Sequence, residues 1–550
     1  MQENDPFSTD MEDGRGGDGI MRSSDGRNQM SHFETTGTQF ADDASGTRVV
    51  RGGSGAADAT TFTKFRRWRK LILAMCALLA VVVVIAFSMG RRSVLESEAY
   101  LNDEEGLSST NHGKDQLWWK ILGDPISQPK VLPGVERDSF TEFGGKVMID
   151  MSGDRIAISK QGVNRVGGGV DIYSHWDGSG DADAYVPTQW FHEISIKLPP
   201  PPLADGQYVH DDQSMDFSED GYRIVFNQGN HIHVYFMDSM KGFNWDQLGN
   251  TIELPPGHDP ATTIYGSEIA MSGDGFFVAV LGHSVEATET AWVDIFHFKS
   301  TLHGSTFTDE WVFVKGISLQ TTKRATMAFD TLGKRLVVGE APDDQHPARI
   351  TVYDRTSEQN PGLWTTGLDP MKNIDTSLPY DKYGSIVYLS NDGNILAMGT
   401  VNGEGNYFVV LQAKETTNGF GSKVDWTMLG KAHQRTPSSR RFGASVALSF
   451  DGDQLVVGAP GSPDLDISNN PSGKQYLHGE IYLYKYDKNT DNWEEVLAPM
   501  RSVDARDAFG QSVSITEHDQ FGVVVVAGAP LRYRDAIQGS GAVLAYTIRD

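Results

Sequence analysis

The sequence repeats one pattern seven times, and a tryptophan precedes each copy. These tryptophans are Trp119, Trp190, Trp245, Trp311, Trp364, Trp426 and Trp493. The clearest copy, RFGASVALSFDGDQLVVGAP from Arg441 to Pro460, has an aromatic-Gly pair, an apolar run, an Asp-Gly turn, a second apolar run and Gly-Ala-Pro. Other copies start at Tyr265, Tyr383 and Phe509, and weaker ones lie near Gly145, Asp212 and Arg324. A repeat that contains only β patterning predicts one four-stranded blade per copy.

The strands of one blade can be assigned from this clearest copy. The runs ASVALS and QLVVGA form the first two strands, because Asp451-Gly452 between them is typical of a tight β-hairpin. The alternating segment from Gly479 to Tyr486 forms the third strand, and the segment around Trp493 forms the fourth. The copies lie 54 to 67 residues apart when the following positions are taken as equivalent: Ser152, Ser218, Ser272, Asp330, Ser390, Ser449 and Thr516. We expect the tryptophans to hold the blades together and not to form a carbohydrate platform.

The last copy lacks a fourth strand of its own, because its third strand, GAVLAYTI from Gly541, runs to the end of the chain. The segment from Gln116 to Ile126 resembles the fourth strands around Trp245 and Trp426, yet it precedes the first copy. We infer that this segment crosses over and completes the seventh blade, which removes the open ends of the ring. The sequence therefore predicts an all-β, seven-bladed β-propeller.

The order FG-x-S-V, DG, V-G-A-P and G-x-I-Y-x-Y resembles the FG-GAP repeat of the integrin alpha-chain propeller. The resemblance covers roughly residue 116 to the C-terminus, and the weaker copies keep only the rhythm of the strands. It implies a seven-bladed propeller that binds a protein or glycan partner.

The sequence departs from this family at its metal-binding hairpins. FG-GAP hairpins that hold calcium have a longer turn of the form D-x-D-G-D-x-x-D, whereas the hairpin from Ser449 to Leu455 offers only Asp451 and Asp453. Calcium takes at least six oxygen ligands. We therefore interpret the Asp-Gly pairs as tight hairpin turns and not as metal ligands. We expect neither calcium nor another cofactor.

A second feature, Leu71 to Gly90, is a run of twenty residues without a charge. As a helix it would span about 30 Å, the thickness of the hydrocarbon core of a bilayer. Basic residues crowd positions 64–70 and acidic residues follow at 96–105, so the N-terminus is predicted to be cytoplasmic. Some seventy residues precede the run, which favours an uncleaved signal anchor over a cleaved signal peptide.

These features divide the chain into four segments. Residues 1–63, rich in Gly, Ser, Thr and Asp, are predicted to be a disordered cytoplasmic tail because they contain too few apolar residues to form a core. Residues 64–92 hold the basic flank and the membrane span, residues 93–115 form a stalk, and residues 116–550 form the propeller. This is the organisation of a type II single-pass membrane protein, with a propeller that is luminal or extracellular.

Charge and motifs exclude several function classes. The net charge of −26 argues against a nucleic-acid partner, which requires a basic surface. The sequence contains no Gly-x-Ser-x-Gly elbow, His-Glu-x-x-His helix, phosphate loop or dinucleotide fingerprint. We therefore expect no catalytic activity.

A ligand is expected on the face where the loops from strand two to strand three and from one blade to the next emerge, because these loops are long and varied. The candidate binding residues are Asp343, Asp344, His346, Arg435, Arg440, Arg441, Asp464, Asp466, Arg532 and Arg534. Since both signs of charge occur, a protein or an acidic glycan suits this face better than a small metabolite.

The resulting hypothesis is a membrane-anchored propeller for recognition or adhesion. One alternative is a propeller enzyme of the secretory pathway, such as a glycan hydrolase. It would be favoured if three or more ionisable side chains met in one buried pocket. Another alternative is a membrane scaffold that acts through its cytoplasmic tail, and deleting residues 1–63 would test it. The bilayer, contacted through residues 71–90, is a partner in all three cases.

Overall fold

The computed structural model describes the larger part of the chain between residues 117 and 549. The described ranges are 117–127, 143–160, 169–175, 189–197, 214–238, 244–260, 262–284, 291–303, 306–320, 325–341, 347–365, 368–370, 386–399, 407–418, 421–435, 441–461, 478–502, 507–531 and 541–549. The predicted tail, membrane span and stalk lie outside these ranges. Among the described residues, no helix is both long enough and apolar enough to span a bilayer.

The described strands form seven antiparallel sheets, one for each copy of the repeat, and thereby confirm the predicted seven-bladed β-propeller. The first blade contains β3 (Val147–Ile149), β4 (Arg155–Lys160), β5 (Gly169–Ser174) and β6 (Phe191–Lys197). The second contains β7 (Met215–Phe217), β8 (Arg223–Gln228), β9 (His231–Asp238) and β10 (Asn244–Gln247). The third contains β11 (Thr263–Met271), β12 (Phe277–Ser284), β13 (Trp292–His303) and β14 (Thr306–Ser318).

The remaining blades have the same order from the inner to the outer strand. The fourth contains β15 (Ala325–Phe329), β16 (Arg335–Glu340) and β17 (Arg349–Asp354). The fifth contains β18 (Ile386–Leu389), β19 (Ile395–Gly399), β20 (Tyr407–Asn418) and β21 (Gly421–Met428), with β22 (His433–Gln434) paired to β20. The sixth contains β23 (Ser445–Leu448), β24 (Gln454–Ala459), β25 (Glu480–Asp487) and β26 (Asn492–Glu495), with β27 (Met500–Arg501) paired to β25. The seventh contains β28 (Val513–His518), β29 (Gly522–Ala529) and β30 (Ala542–Arg549).

The seventh blade is completed by the N-terminal segment, as the sequence predicts. Strand β1 (Trp118–Ile121) pairs antiparallel with β30, from Trp118 opposite Arg549 to Ile121 opposite Tyr546. A short strand β2 (Ile126–Ser127) pairs with the other end of β30. The inner strands contact one another in the cyclic order β3, β7, β11, β15, β18, β23, β28 and back to β3. The ring is therefore closed both at its centre and by the chain termini.

The hydrophobic core consists of seven clusters, each of which fills the space between two consecutive blades. Between blades five and six, for example, one cluster contains the almost fully buried Phe408, Phe442, Tyr484 and Trp493. The rings of the first three contact one another. Each blade is a single layer and has no core of its own. Burial of apolar surface stabilises a fold by about 25 cal/mol per Å². The blades gain this stabilisation only when they pack against their neighbours.

The turns between the first and second strands share one hydrogen-bond arrangement. In the sixth blade the buried Ser449 hydroxyl donates to Asp451 Oδ1 at 2.8 Å and accepts the backbone N–H of Gln454 at 3.0 Å. Gly452 has a φ of +72° and donates its N–H to the Ser449 carbonyl. The same bonds recur in three other Ser-x-Asp-Gly turns, at Ser218, Ser272 and Ser390. This confirms that the Asp-Gly pairs form the tight turns of these hairpins.

The first and fourth blades use an aspartate in place of this serine. Asp330 Oδ1 and Asp150 Oδ1 accept the backbone N–H groups that the serine hydroxyl accepts elsewhere, including Arg155 N–H at 2.9 Å. The choice of Ser152 as the equivalent position is therefore wrong. The equivalent residue is Asp150, because it lies three residues before Gly153, whose φ of +79° marks the turn glycine.

The tryptophans join neighbouring blades, as expected. In five blades the indole N–H donates to an acceptor in the outer part of the preceding blade, at 2.8 to 3.1 Å. The donors and acceptors are Trp119 and Ala498 O, Trp190 and Leu122 O, Trp245 and Glu193 Oε1, Trp311 and Leu248 O, and Trp493 and Leu429 O. Trp426 instead lies beneath the guanidinium group of Arg335 from the preceding blade, 5.3 Å away.

The glycine after the acceptor leucine makes room for the next tryptophan. Gly430 follows Leu429 and has a φ of +78°. A Cβ atom on Gly430 would lie 2.9 Å from Cδ1 of Trp493. Gly249 has the same relation to Trp311, with a φ of +74° and a Cβ distance of 3.0 Å. The short Leu-Gly sequence at the end of an outer strand thus encodes both the acceptor and the space for the indole.

The fourth blade departs from the expected four strands. Among its described residues the sheet has three strands, and the segment around Trp364 makes only isolated bridges, Arg355 with Trp364 and Val352 with Leu368. Pro361-Gly362 lies directly before this segment. Proline cannot donate to a ladder and glycine weakens a strand, so the outer edge of this blade is irregular.

We predict that Gly430→Ala destabilises the protein more than Gly522→Ala does. Both glycines have positive φ, but a Cβ on Gly522 meets nothing within 4 Å. The left-handed backbone costs an alanine about 1–2 kcal/mol at either position, whereas the clash with Trp493 adds about 1–3 kcal/mol at Gly430 alone. Chemical denaturation of both variants measures the difference. Equal losses of stability would show that the glycine is not needed to seat the tryptophan.

We also predict that a fragment of residues 128–550 is less stable than one of residues 116–550. The shorter fragment loses β1, β2 and the buried side chains of Leu122 and Ile126, worth about 3–6 kcal/mol together. It also exposes the edge of β30, which favours self-association. Thermal melts and sedimentation of both fragments check this. A monomeric short fragment with an unchanged melting temperature would contradict closure by the N-terminal strand.

Candidate functional site

Two of the ten predicted binding residues, Arg435 and Arg441, belong to the part of the chain that the structure describes. The other eight, Asp343, Asp344, His346, Arg440, Asp464, Asp466, Arg532 and Arg534, lie outside the described residues. The predicted face is therefore represented by the two arginines that precede and enter the sixth blade.

Arg435 lies in a groove of about 440 Å³ between blades five and six. Its Nε donates to the Tyr484 hydroxyl at 3.1 Å, and its guanidinium group forms an ion pair with Glu495. The same group lies over the Tyr482 ring, 4.3 Å from the ring centre. Arg435 is thus fixed by three side chains of the sixth blade, and it links this blade to the end of the fifth.

Arg441 has a φ of +55°, in the region that favours glycine. Ala508 has a φ of +57° and occupies the same position in the next blade, directly before the aromatic-Gly pair. A residue with a Cβ pays about 1–2 kcal/mol for this conformation. Phe442 and Phe509, each 1 % exposed, follow these two residues, and their packing holds the backbone in this conformation. The chain therefore enters the sixth and seventh blades in one fixed conformation.

Three carboxylates meet between the turns of blades six and seven. Oxygen atoms of Asp451, Asp453 and Glu517 lie within 4.8 Å of one another. Gln454 Nε2 donates to Glu517 at 2.8 Å, and Lys485 Nζ lies 3.5 Å from Asp453. Burial, and next the charge of Asp451, raise the pKa of Asp453. Asp451 accepts the Ser449 hydroxyl, so all three carboxylates already have partners within the protein, and three carboxylates usually supply fewer oxygen atoms than calcium takes.

Sequence reasoning missed Glu517 because it lies on the neighbouring blade. Strand pairing within one repeat joins residues that are close in the sequence. The contact of Glu517 with the turn of the sixth blade joins two different repeats.

The central channel contains a cavity of about 320 Å³ that the inner strands line. Five ionisable side chains line it, and none of them is among the predicted binding residues: Lys146, Asp216, Glu219, Glu268 and Tyr388. They come from the first, second, third and fifth blades. The sequence carries only a weak signal for them, a polar residue inside or beside the apolar run of an inner strand.

Lys146 and Glu268 form an ion pair across the second blade. Their Nζ and Oε1 atoms are 2.9 Å apart, and Lys146 also donates to the Ser214 hydroxyl at 3.3 Å. Asp216 lies on the intervening strand β7. Its two carboxylate oxygens accept the backbone N–H groups of Phe217 and Met271, at 2.8 and 2.7 Å. Asp216 thus connects the inner strands of blades two and three.

Burial raises the pKa of Asp216 to about 6, against the lowering effect of Lys146 and of the two backbone N–H groups. Burial also raises the pKa of Asp150, to about 6, in the turn of the first blade. Both carboxyl groups are therefore costly to ionise in the folded protein.

Glu219 lies at the turn end of the channel. Its Oε1 accepts the Thr331 hydroxyl at 2.7 Å, although Thr331 belongs to the fourth blade and Glu219 to the second. Gly273 of the intervening blade makes this possible, because a Cβ there would lie 2.1 Å from Glu219 Oε1. Burial raises the pKa of Glu219. Burial, and next the charges of Asp216 and Glu219, raise the pKa of Tyr388, so these three groups are electrostatic neighbours.

Comparisons with known proteins were made at the level of sequence and of structure. No family model matches the chain, and no curated protein matches it. Hydrazine synthase of Kuenenia stuttgartiensis is similar with a TM-score of 0.40 and 13% identity, covering 76% of this chain and 99% of that one. Sqt1 of Chaetomium thermophilum gives 0.41 and 13%, covering 74% and 88%. The periplasmic gluconolactonase PpgL of Pseudomonas aeruginosa gives 0.38 and 14%, covering 72% and 99%. At these scores and identities the function of a neighbour is not transferable.

We predict that Asp216 makes the protein less stable as the pH rises. A carboxyl group whose pKa is higher in the folded than in the unfolded protein stabilises the fold while protonated, and this stabilisation is lost as the pH rises through the folded value. The rise from the ordinary 3.8 to about 6 corresponds to about 3 kcal/mol. Urea denaturation at several pH values between 4 and 8 should show this loss in the native protein and a smaller loss in Asp216→Asn. Parallel pH profiles for the two proteins would exclude Asp216 as the titrating group.

Proposed function

We propose that the protein is a membrane-anchored recognition module whose propeller binds a protein partner through its turn face. The turn face is the end of the propeller where the turns between first and second strands lie. One observation supports this proposal above all others: large apolar side chains are exposed on the turns of five blades. They are Met151, Tyr222, Phe276, Leu332 and Phe450, with exposures of 38 to 50 %.

These turns lie side by side around the channel. The Met151 N–H donates to Glu219 O at 2.8 Å, and the Glu219 N–H donates to Gly273 O at 2.9 Å. The Thr331 N–H donates to Asn391 O at 2.9 Å, and Thr516 Oγ1 donates to Met151 O at 2.7 Å. Because these bonds hold the turns together, the apolar side chains are displayed on one rigid surface. Grouped exposed apolar residues of this kind mark interaction sites.

The third blade extends the same face. The hairpin of β13 and β14 is the longest in the described structure, and its turn emerges at the same end of the ring as the turns of the first strands. Near its tip, Leu302 lies directly opposite Phe307, and the two side chains are 57% and 70% exposed. The hairpin thus carries an apolar pair beyond the plane of the turns.

Charge indicates the chemistry of the partner. Asp220 and Asp451 are exposed in the same turns as Tyr222 and Phe450, and Asp392 is exposed in the turn of the fifth blade. The chain has a net charge of −26. A partner that presents lysine or arginine together with apolar side chains would match both features. A protein surface supplies this combination, whereas a glycan does not.

The cellular arrangement is part of the proposal. The uncharged run at 71–90, with its basic flank, supports a signal anchor that leaves the propeller luminal or extracellular. The FG-GAP-like pattern supports an adhesion or recognition role of the kind that integrin alpha-chain propellers have. The long loops of the opposite face, including Arg435 and Arg441, remain a second proposed contact surface.

The channel favours a second candidate function, because ionisable side chains meet there as a propeller enzyme would require. Recognition remains the better-supported proposal. Both oxygens of Asp216 accept backbone N–H groups, and Lys146 is paired with Glu268. Among the described residues that line the channel, none is a histidine or cysteine that could serve as a base or nucleophile. The scaffold alternative depends on the tail, and deletion of residues 1–63 still tests it.

We predict that the double variant Leu332→Ser, Phe450→Ser loses partner binding. Both side chains are about half exposed, so the variant should keep its melting temperature within a few degrees while losing at least about 1–2 kcal/mol of binding free energy. Cross-linking of the full-length protein on its native membranes, followed by affinity capture with and without calcium, measures the partners retained.

Phe313→Ser is the matched control. Phe313 is 53 % exposed but lies along the outer strand β14 at the rim. Its substitution should leave the captured partners unchanged. If the double variant captures the same partners as the native protein, or if the control loses them equally, the turn face is not the recognition surface.

A further inference from the structure

We propose that the junction between the seventh and first blades is acid-sensitive, and that protonation of two buried histidines releases the closing segment, residues 117–127. The two residues, called the histidine pair below, are His175, directly after β5, and His518, at the end of β28. They are 0 % and 6 % exposed, and their ring centres lie 6.3 Å apart across the junction. This inference is independent of the turn face, because it concerns how the ring opens.

The histidine pair supports the contact that holds the closing segment. The His175 ring stacks on the Trp190 ring, with centres 3.9 Å apart and an angle of 30° between the planes. The Trp190 indole N–H in turn donates to the carbonyl of Leu122 at 3.1 Å. Leu122 belongs to the closing segment and is 4 % exposed. A change at His175 therefore reaches the closing segment through one side chain.

The hydrogen bonds of the pair fit neutral imidazole rings. His518 Nδ1 accepts the backbone N–H of Gln520 at 2.9 Å, so a proton on this nitrogen would bring two N–H groups together. His175 Nδ1 donates to the Gln189 carbonyl at 2.8 Å. A further proton on His175 would therefore be taken up at Nε2, in a residue that is fully buried. Protonation costs a hydrogen bond at one ring and buries a charge at the other.

One carboxylate acts on both rings. Asp154 Oδ1, in the first turn of blade one, lies 3.5 Å from His518 Nε2, and its charge also acts on His175. Glu517, which precedes His518 on β28, instead accepts the side chain of Gln454 in the sixth blade. Asp154 can balance one imidazolium but not two. Two protonated rings at this distance would repel each other in a junction that excludes water.

Titration supports the direction of the response. Burial lowers the pKa of His175 below its ordinary 6.5, against the raising effects of a backbone carbonyl and of Asp154, and the charge of His518 lowers it further. A histidine with a lower pKa in the folded protein stabilises the fold while neutral, and this stabilisation is lost as the pH falls below the unfolded value. Asp150 and Asp216 act in the opposite sense, because their pKa is raised. A local measurement is therefore needed to separate these effects.

The test is hydrogen–deuterium exchange with mass spectrometry on the purified full-length protein at pH 7.5 and pH 5, corrected for the intrinsic exchange rate. At pH 5 we expect the closing segment of the native protein to exchange about tenfold faster, the change that one pKa unit of difference between the closed and open junction provides. Peptides from β24, in the sixth blade, should keep their protection.

The double variant His175→Asn, His518→Asn removes both titrating rings and keeps their neutral contacts. The amide of an asparagine at 175 can donate to the Gln189 carbonyl, and the amide oxygen of one at 518 can accept the Gln520 N–H. The closing segment of this variant should exchange at the same corrected rate at both pH values. His283→Asn is the matched control, because His283 is also buried, at 8 %, but lies on β12 in the third blade. This control should respond to acid as the native protein does.

The proposal fails if the closing segment of the native protein is equally protected at both pH values, or if exchange rises equally in all blades. It also fails if the double variant responds to acid as the native protein does, or if His283→Asn abolishes the response. If the double variant does not fold, each single variant should still weaken the acid response. The comparison of the closing segment with β24 in the native protein requires no variant.

Discussion

The structure depends on contacts between blades, because no single blade can bury its own surface. A blade is one twisted sheet with apolar residues on both faces, and all seven apolar clusters lie between sheets. The indole of one blade donates to the outer strand of the preceding blade, and a glycine there leaves space for the ring. Among the described residues, five of the seven blades donate this bond to the blade before them. Stability is therefore shared, and a defect at one junction affects the whole ring.

The same dependence explains the aromatic-Gly and Gly-Ala-Pro elements of the repeat. A Cβ on Gly458, in the sixth blade, would lie 2.1 Å from the carbonyl oxygen of Gly510 in the seventh. Gly528 and Gly144 have the same relation across the closure, at 2.0 Å. Gly399 and Gly443 are related in the same way, at 2.1 Å, so at these three junctions the glycines of the motif allow the two backbones to approach. The aromatic-Gly and Gly-Ala-Pro pattern is required for packing between blades, so propellers with different functions can share it.

Most of the fold could be predicted because its signals are local. The alternation in ASVALS, the Asp451-Gly452 turn and the spacing of the tryptophans are properties of short segments. The closing strand could be predicted because Gln116–Ile126 carries the sequence of an outer strand. The irregular edge of the fourth blade could not, since Pro361-Gly362 changes one strand without changing the rhythm of the repeat. Asp150 can be assigned from the sequence in place of Ser152, because it lies three residues before Gly153, as Asp330 does before Gly333.

The channel residues could not be predicted, because their setting exists only after the ring closes. In Met215-Asp216-Phe217 the aspartate has the position of a solvent-facing residue on a half-buried strand. Seven such strands meet at the axis, and the residue that would face water faces a narrow cavity instead. Polar residues on inner strands then find partners across the ring: Lys146 pairs with Glu268, and Asp216 accepts the backbone N–H of Met271 in the next blade. The turns leave more freedom. A buried serine or aspartate satisfies the hairpin, so the next residue is free to vary, and it is Met151 in one blade, Glu219 in another and Phe450 in a third. Residues that differ between blades at positions not fixed by packing are therefore the best candidates for a functional role.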